Sequence, residues 1–279
     1  MTKGLLCIGD NVVDLYCDKG VFYPGGNALN VAVLARRAGL ADTAYMGIIG
    51  SDREARHVEA AMVAEGLSPS WLRRVEGPNG KARVTHDTSG DRVFLGSNRG
   101  GIRRKLMLRM DDDDLELISG AAHVHSSCFS YLEPELPRIR AAARGLSFDF
   151  STGDDSAYLA QVAPHVTTAF LSGAERDAAE IAGLISFLHA RGVDTVCVTR
   201  GAAGAIWSRA QEVIEQGIVP ARVVDTMGAG DAFIAGYLAA TIGGAEPRAA
   251  LHHAAATAAR ACTWHGAWGH PLADDPQAG

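Results

Sequence analysis

The chain has no CxxC pair, no long apolar run and no excess of basic residues. Its five cysteines, Cys7, Cys17, Cys128, Cys197 and Cys262, are widely spaced and odd in number. That pattern excludes a disulfide framework and a zinc site of paired cysteines. Buried free thiols in a reducing compartment are the better reading, with Cys7 and Cys197 inside apolar stretches. No stretch approaches the length needed to cross a bilayer, so no membrane partner is expected. The opening MTKGLLCIGD has too short an apolar core for a secretion signal, which leaves a cytoplasmic location as the expectation. Lys and Arg number 26 against 32 Asp and Glu, for a net charge of −6. Nucleic acid as a partner is therefore disfavoured, since it calls for a basic face. A small anionic substrate is not excluded, because one local site can be positive on an acidic protein.

What is present is an ordinary globular composition, 47% hydrophobic and 21% charged over 279 residues. It suits one large domain over residues 1–279 with a substantial core. Short apolar runs alternate with helical patterns. Gly4 to Gly9, Ala44–Ile49, His123–Ser127, Leu146–Phe150, Thr168–Leu171 and Thr195–Thr199 suggest strands. Asn27 to Ala38, Arg53–Glu65 and Ala174–Arg191 suggest helices. Alternation of this kind predicts an α/β fold whose mostly parallel sheet is covered on both faces. Two segments break the rhythm, about 13–24 and 80–96. The second alternates as a hairpin would, around a turn at Ser89-Gly90-Asp91. Each is a candidate flap, and an extra edge hairpin is the plainer alternative. The polar tail after Pro271 is expected to be loose.

The stretch Asp225-Thr226-Met227-Gly228-Ala229-Gly230-Asp231-Ala232-Phe233 carries chemistry. Gly228, Ala229 and Gly230 let backbone N–H groups approach a ligand, and the apolar run that follows suggests a helix beginning there. A helix N-terminus has unpaired N–H groups and a positive dipole end, which together suit phosphate. An aspartate inside such a pocket competes with the anion unless it takes a proton from an attacking hydroxyl. That combination points to phosphoryl transfer, with Asp231 as general base. A helix start with an acidic first turn is the plain alternative.

This stretch resembles the C-terminal signature of the ribokinase-like (PfkB) carbohydrate kinases, DTxGAGDxF. Gly25-Gly26-Asn27-Ala28-Leu29-Asn30-Val31-Ala32 resembles the N-terminal signature GGxxxNxA, some 200 residues earlier and in the family's order. The resemblance implies a three-layer sandwich with a mostly parallel central sheet, a small β lid, ATP and Mg2+. It matches Asp231 to the catalytic base and Gly228, Ala229 and Gly230 to the anion hole. It matches Gly25, Gly26, Asn30 and Asp14 to sugar-facing positions, with Asp10 beside them at the end of the first strand. Val198 to Gly204 looks like the family's nucleotide loop, which brings in Thr199, Gly201 and Gly204. Ser172-Gly173-Ala174-Glu175 falls on its NxxE motif. Glu175 matches the glutamate that organises Mg2+ through water, and serine replaces the usual asparagine. A monovalent cation such as K+ stays open, because carbonyl ligands cannot be read from sequence. The family also implies a homodimer through the lid.

Within the family the chain looks most like fructoselysine 6-kinases, in Ile8-Gly9-Asp10-Asn11 through Asp14, in both signatures and in the closing His265-Gly266-Ala267-Trp268. The expected reaction moves the γ-phosphate of ATP to the 6-hydroxyl of fructoselysine or a related fructosamine. The second carboxylate, Asp10, would suit a protonated amine; a turn-capping role is the equal alternative. Kinases for fructose, ribose or nucleosides, and a non-catalytic sugar- or nucleotide-binding regulator, remain competing readings. Other conspicuous residues read more plainly. Asp111 to Asp114 suggest a helix cap and its first turn. His123 and His125 suggest ordinary strand histidines, and Arg103-Arg104-Lys105 a solvated face.

Overall fold

The computed structural model describes residues 4–86, 92–153 and 155–274. Its strands in chain order are β1 (Leu5–Ile8), β2 (Val12–Tyr16), β3 (Val21–Gly25), β4 (Thr43–Ile49), β5 (Leu72–Arg74), β6 (Gly80–His86), β7 (Arg92–Ser97), β8 (His123–Ser127), β9 (Leu146–Asp149), β10 (Thr168–Ser172), β11 (Thr195–Thr199), β12 (Ala205–Arg209), β13 (Glu212–Gln216) and β14 (Leu272–Ala273). The helices are α1 (Asn27–Arg37), α2 (Arg53–Ala64), α3 (Asp112–Gly120), α4 (Leu136–Ala142), α5 (Ser156–Val162), α6 (Ala178–His189), α7 (Ala229–Ile242) and α8 (Pro247–Ala261).

Nine strands form the main sheet in the order β13-β12-β11-β10-β9-β8-β1-β4-β5. From β11 to β5 every pairing is parallel, and β12 and β13 close the other edge antiparallel. Alternation along the strands divides the core in two. Leu5, Cys7, Tyr45 and Phe170 face α1, α2, α7 and α8. Leu6, Ile8, Met46, Val124 and Phe148 face α3, α4, α5 and α6. Buried on both faces, these strands carry the continuous apolar runs that a parallel sheet requires. The three-layer architecture expected from the sequence is what forms.

The small sheet has the order β14-β3-β2-β6-β7. Its strands β2, β3, β6 and β7 come from the two segments that broke the helix–strand rhythm. β6 and β7 pair antiparallel, with a register shift between Arg83 and Val84. The expected turn at Ser89-Gly90-Asp91 lies outside the described residues. Two details differ from the sequence reading. The tail after Pro271 is not loose throughout, because Leu272 and Ala273 pair with Phe22 and Val21. Helix α6 starts at Ala178 rather than Ala174, where Asp177 caps it and exchanges hydrogen bonds with Glu180 in a capping box. The cap that the sequence suggested at Asp111 forms in the same way with Asp114.

Candidate active site

The site begins where β1 ends. Helix α1 has Gly26 as its N-cap, with φ +102°, and Gly26 offers no side chain to the first turn. A Cβ there would stand 2.6 Å from the Asn11 Cα, so only glycine fits. Asp10 caps the helix in its place. Its carboxylate accepts from the backbone N–H of Asn27 at 2.7 Å and of Ala28 at 3.2 Å. The hydroxyls of Ser127 and Ser130 donate to it at 3.1 and 3.2 Å. Asp10 is only 3% exposed. Four donors thus account for this carboxylate as the cap of α1, and the amine-recognition argument for Asp10 loses its basis. Asp14, on β2, faces the same turn, since a Cβ on Gly25 would collide with its carboxylate.

Helix α1 reaches α7 through two side chains. Asn27 Nδ2 donates to Asp231 Oδ1 and Asn30 Nδ2 to Asp231 Oδ2, both at 2.7 Å. Each amide is itself oriented. Trp268 Nε1 donates to Asn30 Oδ1 at 2.8 Å, and His125 Nε2 lies 3.2 Å from Asn27 Oδ1. Burial lowers the His125 pKa to about 3. The ring is therefore neutral, and its Nε2 must carry the proton to serve the Asn27 carbonyl. Ser147 then donates to His125 Nδ1 at 2.9 Å.

A second carboxylate shares this clamp. Asn27 Nδ2 also donates to Asp149 Oδ2 at 2.8 Å. Asp149 ends β9 and accepts from the Ser151 N–H at 2.8 Å. Burial first, and the negative charge of Asp231 second, raise its pKa to about 7. Beside Asp231, Asp149 therefore holds its proton far more tightly than an ordinary carboxyl.

Asp231 lies in the first turn of α7. The N-cap Gly228 is left-handed at φ +72°, and a Cβ on it would meet the Ala267 Cβ at 2.6 Å. A Cβ on Gly230 would meet no atom within 4 Å, so this helix end is open toward a ligand. The loop leading in is pinned by Asp225. It accepts from the Met227 and Gly266 N–H groups, each at 3.0 Å, and from the Tyr16 hydroxyl at 2.5 Å. Tyr16 belongs to the small sheet, so this bond ties that sheet to the start of α7.

The remaining predicted residues line the same edge of the main sheet on the strands beyond β9. Ser172 and Thr199 are register partners at the ends of β10 and β11, and the Gly173 N–H donates to the Thr199 carbonyl at 2.8 Å. Gly201 and Gly204 are left-handed, and the Arg200 N–H closes their loop on the Gly204 carbonyl at 2.7 Å. A side chain on Gly204 would collide with the Gln216 carbonyl. Glu175 is exposed in the turn after β10. Among the described residues no group of three or more His, Cys, Asp or Glu could hold a metal ion.

The model of the pfkB family carbohydrate kinases matches residues 4–272. The chain belongs to this family. The fructosamine kinase FrlD of Bacillus subtilis is 45% identical over 266 residues, covering 95% of this chain and 93% of the relative. The fructoselysine 6-kinase of Escherichia coli is 34% identical over 269 residues, covering 95% and 100%. Among solved structures, Arabidopsis thaliana ribokinase complexed with ribose and ATP superposes with a TM-score of 0.81 at 21% identity, covering 95% of this chain and 94% of that one. At that identity the likeness shows the fold. As a pfkB kinase the chain is an ATP-dependent sugar kinase, and the regulator and nucleoside readings are not favoured.

The sequence reading gave no site role to Asn27, Asp149, His125 or Asp225. Asn27 sits inside the N-terminal signature at one of its variable positions, and Asp225 inside the C-terminal one. Asp149 and His125 carried no local signal, because they meet the site only through parallel pairing of β8 and β9.

Proposed function

We propose that this pfkB kinase phosphorylates fructosamines, fructoselysine among them, at the sugar 6-hydroxyl. The observation that carries the mechanism is Asp231, held at an open helix N-terminus by two amides from the helix that follows Gly25-Gly26. The substrate class is supported by the names of the two relatives, a fructosamine kinase and a fructoselysine 6-kinase.

In this reading the sugar is received by Asp14, Gly25, Gly26 and Asn30. Asp231 accepts the proton of the attacking hydroxyl. The hydroxyl oxygen forms a bond to the γ-phosphorus, and the bond from that phosphorus to the ADP oxygen breaks. The Gly228-Ala229-Gly230 turn at the start of α7, whose Ala229 N–H also reaches the Thr226 carbonyl at 3.2 Å, would meet the charge that builds on the transferred phosphoryl group. ATP supplies that group, and Thr199, Gly201 and Gly204 form its loop. Mg2+ offsets phosphate charge when bound. An exposed Glu175 outside any carboxylate cluster fits an ion that keeps its waters and leans on phosphates, as Mg2+ does. The small sheet would act as the lid.

The test is ADP release across fructoselysine, other fructosamines, fructose and ribose. The reading expects the highest kcat/KM on a fructosamine. A preference for fructose or ribose over every fructosamine overturns it.

A further inference from the structure

Arg103 follows Gly100 at the exit of the small sheet and is only 6% exposed. The sequence suggested a solvated basic face here, and the structure buries its first member. The guanidinium packs over the Tyr131 ring, 5.0 Å from its centroid, and Nη2 donates to the Phe129 carbonyl at 2.7 Å. Nε and Nη1 are buried and have no acceptor among the described residues. Three of the five N–H donors of a buried, permanently charged group therefore lack a partner. A charge left in that condition is costly, and arginine forks are suited to carboxylates.

Its surroundings place it beside the substrate turn. Phe129 and Tyr131 flank Ser130, whose hydroxyl bonds Asp10. The positive charge of Arg103 is felt at Tyr45, whose hydroxyl donates to the Gly9 carbonyl at 2.8 Å. Asn11, next in the chain after Asp10, and Asn79, beside the Arg103 turn, each bury one further polar atom without a partner. Gly101 packs against Asn79, and Gly80 against Asn11. The backbone thus brings Asn11 and Asn79 to the turn that carries Arg103.

We propose that Arg103 receives the carboxylate of the amino-acid part of a fructosamine, and so sets substrate specificity. The proposal rests on the fructosamine reading above. A plain sugar carries no anion for this guanidinium, whereas the adduct of a sugar with an amino acid does.

The experiment compares fructosylglycine with the adduct of fructose and ethanolamine, which replaces the carboxylate by a hydroxyl at similar size. Fructosylglycine is expected to have the higher kcat/KM by roughly tenfold to a hundredfold, the range for a hydrogen-bonded charge. In Arg103→Met and in Arg103→Lys that ratio should fall toward one, with circular dichroism and thermal melting as the check that each variant folds. If wild type treats both adducts alike, the carboxylate is not read and the proposal fails while the fructosamine reading stands. If wild type discriminates and both variants keep the ratio, another residue reads the carboxylate and Arg103 is excluded. If neither adduct is phosphorylated but fructose is, the fructosamine reading itself falls. Should both variants misfold, the proposal is decided by whether acetate competes with fructosylglycine but not with the ethanolamine adduct on wild type; equal competition overturns it.

Discussion

Asp149 and Asp231 stand one amide apart, each accepting from the same Asn27 nitrogen, at 2.8 and 2.7 Å. Like charges this close do not both ionise easily, and burial together with the Asp231 charge raises the pKa of Asp149.

The pH profile should carry that pairing. Asp149 holds its proton below about 7, so the charge it places beside Asp231 appears only as pH rises through that value. The kcat/KM profile of wild type should show a group titrating near 7 that Asp149→Asn lacks. Superimposable profiles would contradict the coupling.

Stability has its own sign. The folded pKa of Asp149 is raised to about 7 from an ordinary value of 3.8, so the folded state binds this proton more tightly than the unfolded chain. The associated stabilisation is present below about pH 4 and is lost as pH rises toward 7. Thermal unfolding at several pH values should show Asp149→Asn gaining on wild type across that window. A constant difference between the two proteins would rule the linkage out.

Asp231→Asn keeps the size of the side chain and removes its capacity to accept a proton. Turnover is expected to fall by roughly a hundredfold or more while sugar binding is kept. The measurement is kcat together with calorimetric sugar affinity, and near-normal turnover with chemistry rate-limiting would exclude the role.

Glu175→Gln should raise the Mg2+ concentration needed for half-maximal rate and lower turnover. Sugar affinity should stay unchanged. Coincident Mg2+ titrations at equal turnover would remove Glu175 from the metal.

Asp10→Asn places an amide against the two N–H groups that open α1. The expected loss is about 1–3 kcal/mol of stability, with kcat/KM reduced alike for amine-bearing and plain sugars. A selective loss on fructosamines would return Asp10 to amine recognition.

Much of this was legible in the residues. Gly228 and Gly26 announced themselves because each stands where a Cβ has no room and φ is positive. Asp231 and Asn30 followed from the spacing within their signatures. Asp10 shows the limit. A carboxylate after a strand looks the same whether it faces a ligand or caps a helix sixteen residues later, and only the packing of α1 against the end of β8 decides. Arg103 shows another. In a run of three basic residues nothing local says which one turns inward; the turn of Gly101 against Asn79 does.

The last strand has a consequence for how the molecule comes into being. β14 pairs with β3, the Asp274 N–H donates to the Gly20 carbonyl, and Arg53 reaches the Ala273 carbonyl at 2.6 Å. Segments far apart in the chain therefore meet on one edge of the small sheet. On a ribosome, β2 and β3 emerge long before β14, the strand that covers that edge. Until then β3 offers an open edge to other strands, so a nascent chain stalled short of Leu272 is a natural client for chaperones.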